Sequence, residues 1–181
     1  VIVQTDIDSI KRYRDRLGEE LYEHLAELWF ESEKNPDLQT EKSIGKSDVT
    51  ESAPVDFAAE KGDCPLCGYG AEMGILLDSG KETEGSARKL WCAYCEHVWN
   101  YERIRCTRCG TRNQDALSYH FDEDDSARRI YYCSECQGTQ KVLNEKDLEN
   151  PAEVDLRLEG ILMEGLEQAV QEHCADKRGA D

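Results

Sequence analysis

The chain has 181 residues, 39% of them hydrophobic and 8% aromatic, with 34% charged and a formal net charge of −17. That length suits one ordinary domain or a small module flanked by helices, and a sizeable core forms only if much of the chain joins it. The acidity repels phosphate backbones and argues against a general nucleic-acid binder, and no run approaches the ~20 apolar residues needed to cross a bilayer.

The charge is unevenly spread. Residues 1–62 carry 15 acids against 8 bases and residues 142–181 carry 11 against 4, whereas residues 63–141 carry 13 against 10. The opening VIVQTDIDSI is neither basic nor long enough in its apolar run to serve as a secretory signal, so a cytoplasmic location is expected.

Residues 1–33 form the first predicted element, an amphipathic helix running from Asp6 to about Glu33. Ile7, Ile10, Leu17, Leu21, Leu25 and Leu28 recur mostly at threes and fours, with Tyr13 and Trp29 beside them. Asp6 or Asp8 can cap its start, and Asn35-Pro36 stops it. Residues 34–62 read as a flexible linker, because their scattered apolar side chains bury too little to offset the entropy of ordering.

Two four-cysteine ribbons are expected next, over residues 63–100 and 101–149. Eight of the nine cysteines fall as four Cys-x-x-Cys pairs. Cys64–Cys67 and Cys92–Cys95 have 24 residues between them, Cys106–Cys109 and Cys133–Cys136 have 23, and the two units begin 42 residues apart. Each interval suits a short hairpin or three-stranded sheet. The first has strand-like ends around DSGKETEG, and the second, ALSYHFDEDDSARRIYY, has alternating strands around an acidic turn. The phrases RKLWCAYC and RRIYYCSEC are thus one metal-centred ribbon written twice.

A C-terminal helix is expected over 150–175. Asn150 reads as its cap, Pro151 as its first residue, and Val154, Leu158, Ile161, Leu162, Leu166, Ala169 and Val170 as its stripe. The simplest solution packs both helices together against the ribbons; the alternative keeps an amphipathic face for another protein.

Without an export signal, paired cysteines read as metal ligands rather than as a disulfide framework. A thiolate pair two residues apart grips one ion through a tight turn. Pro65 stiffens the first turn, and Gly68 and Gly110 permit positive φ, which turns backbone N–H groups towards sulfur. Two pairs complete a four-thiolate site for zinc or a single iron. Sequential pairing gives Cys64, Cys67, Cys92 and Cys95 one ion and Cys106, Cys109, Cys133 and Cys136 a second; a cross-brace would take first with third and second with fourth. The internal repeat favours the sequential scheme. His97 is a substitute ligand on paper, but four sulfurs already suffice and a solvent-facing ring is expected.

A closed four-thiolate site has no open position for substrate, and no Ser/His/Asp set or phosphate loop accompanies it, so the chain is not expected to be an enzyme. FDEDD at 121–125 lacks the Gly and distal Glu of a calcium loop and reads as a hairpin tip. Cys174 reads as a small core residue. The arginines at 88, 103, 105, 108, 112, 128 and 129 have two readings: a docking face for acidic or nucleic-acid partners, or, more simply, charge compensation for the thiolates.

Four ordered Cys-x-x-Cys pairs, the CPLCG turn, the bridge CEHVWNYERIRC through Trp99, the run CQGTQKVLNEKD and the ending AEVDLRLEGILMEGLEQAVQE together resemble the formate dehydrogenase accessory protein family, FdhE. The resemblance covers residues 62–174; before Cys64 the chain departs, with one helix and a linker in place of a longer helical region. It implies an α+β, small metal-binding fold, with tandem zinc-ribbon or rubredoxin-like modules flanked by N- and C-terminal helices. It also implies a non-catalytic cytoplasmic assembly factor that binds the formate dehydrogenase catalytic subunit. The eight pair cysteines would then hold two metal ions per chain, iron being the usual implication although four thiolates accept zinc equally. The competing readings are a zinc-ribbon interaction protein of transcriptional or adaptor type and a rubredoxin-like electron carrier.

Overall fold

In the computed structural model the described residues are 7–34, 61–78 and 88–176. Most of the expected linker, residues 35–60, and the expected tip of the first hairpin, 79–87, lie outside them. The chain divides into two compact units, one formed by residues 1–54 with 152–162 and the other by residues 55–151 with 163–181.

The first unit is helical. The N-terminal periodicity resolves into α1 (Ile7–Arg12), α2 (Arg14–Leu17) and α3 (Glu19–Lys34) rather than one rod. Gly18 makes the second break, with φ 75° and ψ 160°, a conformation closed to most side chains. Ile10, Tyr13 and Leu17 form the buried stripe and pack with Leu158 of α4 (Leu156–Leu162), flanked by Leu21, Tyr22, Leu25 and Leu162.

A polar knot sits inside this apolar contact. Glu159, fully buried, accepts from the Tyr13 hydroxyl at 2.7 Å and from both terminal nitrogens of Arg16 at 2.7 and 3.1 Å. The Tyr13 oxygen in turn accepts the Asp155 N–H at 3.0 Å. Burial and the Glu159 charge together hold the phenol well above its ordinary range. Asp155 is the true cap of α4, its Oδ1 accepting the N–H groups of Arg157 and Leu158 at 3.0 and 3.2 Å. Asn150 does not cap an α-helix, because Pro151–Glu153 forms a separate 3-10 turn.

The second unit is a six-stranded sheet with α5 (Glu164–Asp176) on it. Its strands are β1 (Met73–Leu76), β2 (Arg88–Trp91), β3 (Val98–Tyr101), β4 (Leu117–Asp122), β5 (Asp125–Cys133) and β6 (Thr139–Asn144), in the spatial order β3-β2-β1-β6-β5-β4. Each ribbon is three antiparallel strands, and the acidic FDEDD run forms the β4–β5 turn. The ribbons join through the parallel pair β1–β6, with Met73 opposite Lys141 and Leu76 opposite Asn144. The tandem α+β ribbon architecture read from the sequence is therefore present, as one continuous sheet.

The joint is where the unit's core lies. Met73, Leu90, Ile130 and Val142 are fully buried, with Trp91, Leu76 and Leu143 beside them. Gly74 allows a close approach there: a Cβ would sit 3.1 Å from Val142 Cγ2 and 3.4 Å from Arg88 Nε. Lys141, buried in β6, pairs with Glu72 at 2.9 Å, with Glu167 at 3.6 Å and closely with Glu164, so its charge ties α5 to the sheet. Thr139 adds a 2.6 Å bond to Glu167 and accepts from Gln171 at 2.9 Å.

The single C-terminal helix expected from the sequence breaks at Met163, with α4 in the helical unit and α5 in the ribbon unit. Replacing Glu159 by Ala leaves the buried Tyr13 hydroxyl without its acceptor and the part-exposed Arg16 without its carboxylate, and is expected to cost about 1–3 kcal/mol by denaturant unfolding. A loss below roughly 0.5 kcal/mol would show that the knot contributes little to the helical unit.

Candidate metal centres

The same backbone turn is built at every cysteine pair. The N–H of the residue after the second cysteine closes back on the first cysteine's carbonyl: Gly68 to Cys64 O at 2.9 Å, Glu96 to Cys92 O at 2.8 Å, Gly110 to Cys106 O at 3.1 Å and Gln137 to Cys133 O at 2.7 Å. A second bond runs from the first cysteine's N–H to the carbonyl of Tyr69, His97, Thr111 or Gly138, at 2.7–3.0 Å. Closing the turn this way requires positive φ at the residue after the second cysteine. Gly68 and Gly110 supply it at 76° and 78°, as their sequence suggests. Glu96 and Gln137 adopt 61° without being glycine, which the sequence reading missed. Their position immediately after Cys-x-x-Cys was the available signal.

These turns bring the sulfurs together in the sequential scheme. Cys64, Cys67, Cys92 and Cys95 form one group and Cys106, Cys109, Cys133 and Cys136 the other, with all sulfurs of a group within 4.8 Å of one another. The nearest cross-pair separations are 3.5 Å for Cys64–Cys95 and Cys67–Cys92, 3.6 Å for Cys106–Cys136 and 3.8 Å for Cys109–Cys133. A tetrahedral ion with metal–sulfur bonds of about 2.3 Å spaces its ligands roughly 3.8 Å apart, so each group fits one ion. In each turn the first cysteine is buried and the second is more open.

The electrostatics favour a cation over four free thiols. Burial opposes ionisation at Cys67, but the Tyr69 N–H and hydrogen bonds from the Cys95, Cys92 and Cys64 thiols outweigh it and lower this group. Cys106 is lowered in the same way, against burial, by the N–H groups of Cys109 and Arg108 and by the Cys109 and Cys136 thiols. Burial raises Cys92 and Cys133. Burial and hydrogen bonds to neighbouring sulfurs push Cys95 and Cys136 up to about 12. Each group thus accommodates one thiolate easily and the remaining negative charges only when a cation shares them.

Other sequence candidates fall outside these groups. His97 is half-buried and stacked on Trp99, with centroids 5.8 Å apart and planes 7° apart; burial lowers its basicity. Cys174 is buried on α5 with its sulfur 3.7 Å from His120 Nε2. Four of the seven arginines pair with carboxylates, while Arg88 feels the charge of Cys106. Arg105 and Arg112 pair with Glu102 at 3.6 and 2.9 Å, Arg128 with Asp125 at 2.8 Å and Arg129 with Asp147 at 2.9 Å.

Fold and site together define a metal-binding tandem-ribbon protein with two four-thiolate centres. No protein-family model matches the chain. Among curated proteins it is similar to Protein FdhE homolog of Shewanella oneidensis, at 32% identity over 85 residues, 47% of this chain and 27% of the relative. It is also similar to Protein FdhE homolog of Aquifex aeolicus, at 30% identity over 107 residues, 59% of this chain and 33% of the relative. The chain spans about a quarter to a third of the length of these relatives. The crystal structure of the FdhE protein from Pseudomonas aeruginosa shares its fold, with a TM-score of 0.50 and 22% identity over 65% of this chain and 37% of that one. The resemblance to the FdhE family read in the cysteine order is thereby shown.

Glu96→Gly and Gln137→Gly are expected to stabilise the ribbon unit by about 0.5–1 kcal/mol each, and Gly68→Ala to destabilise it by about 1 kcal/mol, because only the backbone preference at φ near 60–80° changes. Thermal unfolding of the metal-loaded variants reads the sign directly; destabilisation by both glycine substitutions would mean that the Glu96 and Gln137 side chains matter more than the turn.

Proposed function

We propose that the chain is a non-catalytic accessory factor for the maturation of formate dehydrogenase, binding the catalytic subunit through its tandem metal module. The observation that supports this most is the FdhE likeness, together with two four-thiolate ribbons in one sheet. In this reading Cys64, Cys67, Cys92 and Cys95 hold the first ion, and Cys106, Cys109, Cys133 and Cys136 the second, with the ribbon region 63–149 as the part that meets the client. Four protein sulfurs fill a tetrahedral shell, which suits a structural or recognition role better than substrate activation. The donor set accepts iron or zinc alike.

The transcriptional-adaptor alternative loses much of its basic face, since four of the seven arginines in this region are neutralised by Glu102, Asp125 and Asp147. Among the described residues no helix is long and apolar enough to cross a membrane. A cytoplasmic site of action accords with maturing an enzyme before its assembly or export.

Elemental analysis of the purified chain is expected to return about two ions, with Cys64→Ser and Cys133→Ser each losing one and loosening the ribbon that held it. Both variants keeping two ions would overturn the ligand sets. Tagged protein is expected to retain the formate dehydrogenase catalytic subunit, and deletion of the gene to lower formate dehydrogenase activity with the subunit's transcript unchanged. Unaltered activity in the deletion strain, with RNA polymerase recovered on the tag, would transfer the function to the adaptor class.

A further inference from the structure

The second unit contains a pocket of about 500 Å³, lined in part by Cys106 and Cys133 of the second sulfur group. Its walls include Arg88, Arg103, Arg105, Tyr119, Tyr131 and Tyr132, and no Asp or Glu lines it. That absence is informative in a chain with 39 acidic residues. The volume falls within the range of about 300–1,000 Å³ typical of small-molecule sites.

Two buried polar groups on its walls lack partners. Arg88 is 3% exposed and its Nε has no hydrogen-bond partner; Nη1 donates to the Arg105 carbonyl at 3.0 Å. No described ion pair joins this guanidinium to a carboxylate. The Tyr101 and Tyr131 rings, with centroids 5.6 and 5.2 Å from Arg88 Cζ, offset only part of the cost of burying it. The Tyr132 hydroxyl, in a residue 7% exposed, is likewise unpartnered. Arg88 feels the charge of Cys106 in the second sulfur group, although none of the described hydrogen bonds joins it to sulfur; that role as counter-ion accounts for neither Tyr132 nor Arg103.

The rest of the lining is what a ligand in the pocket would meet first. Arg103 is exposed at the pocket and has no carboxylate partner among the described residues, while Arg105 shares Glu102 at 3.6 Å. Two guanidiniums free of carboxylates suit a doubly charged phosphate better than a single carboxylate. Tyr119 and Tyr131, tilted against each other with centroids 5.9 Å apart, provide an aromatic wall. We propose that this pocket binds a small phosphorylated ring compound of nucleoside-monophosphate size, its phosphate on Arg88 and Arg103 and its ring against Tyr119 and Tyr131. The site does not depend on which enzyme the protein serves.

Isothermal titration of the full chain, with its two ions verified, tests this with adenosine and guanosine 5′-monophosphates. The half-ligands adenosine, guanosine and inorganic phosphate are run at matched ionic strength. One saturable site is expected for at least one monophosphate, with each half-ligand about tenfold weaker or worse. Arg103→Gln and Tyr119→Ser, both at exposed side chains, are expected to weaken binding at least about fivefold without lowering the unfolding temperature. Lys11→Gln, an equal charge change in the helical unit, leaves binding unchanged. Absence of saturable binding, or affinity untouched by Arg103→Gln and Tyr119→Ser, overturns the proposal. Binding of an acidic peptide but of neither monophosphate also overturns it and assigns the pocket to a protein ligand.

Discussion

Four sulfurs within 4.8 Å of one another, the closest pairs 3.5–3.8 Å apart, cannot all be thiolates unless a cation lies among them, and the ribbon unit is arranged around that constraint. A sheet of strands mostly four to six residues long has little apolar surface to spare, so coordination of an ion by each sulfur group would supply fixed points for the strands. The strand leading into the second turn of each ribbon ends at or beside its cysteine, β2 at Trp91 and β5 at Cys133, so an ion held there would fix where the pleat ends. Trp91 and Ile130 then enter the core from those strands. Loss of an ion would therefore release both the turn geometry and the register behind it.

Most of this was legible because it is local. The Cys-x-x-Cys spacing, the near-equal intervals and the alternation of ALSYHF and ARRIYY each concern residues that lie close along the chain. The pairing of the four turns was also accessible, through the repeat. Glu96 and Gln137 were harder to see, because a positive φ is usually announced by glycine and here the closing N–H···O bond imposes it on residues that would otherwise avoid it.

What escaped the sequence reading is nonlocal. Nothing near Met73 announces that β1 lies parallel to a strand almost seventy residues later; Gly74 hints at close approach but not at Val142. The helices failed differently. Their apolar stripes are real, but a stripe does not report where the backbone breaks. Asn150-Pro151 offered a plausible cap, yet Asp155 has the side-chain geometry to hold the first free N–H groups, and the buried Glu159 shows that a charged residue can lie on the inward face when Arg16 and Tyr13 meet it. Four of the seven arginines show the same limit, since their partners Glu102, Asp125 and Asp147 were visible as residues but not as neighbours.

The parallel joint has a consequence for self-association. The first strand of one ribbon, β1, pairs with the third strand of the other, β6, so the copies are related by a shift along the sheet rather than by a two-fold axis. Such head-to-tail contacts do not close, and a third ribbon could in principle dock on the free side of β3 or β4 by the same rule. Two features make propagation unfavourable. β3 is only four residues long, and β4 ends in a register shift between Phe121 and Asp122 that leads into the acidic turn. A strand added at β4 would meet that irregularity and the acidic turn instead of a flat ladder.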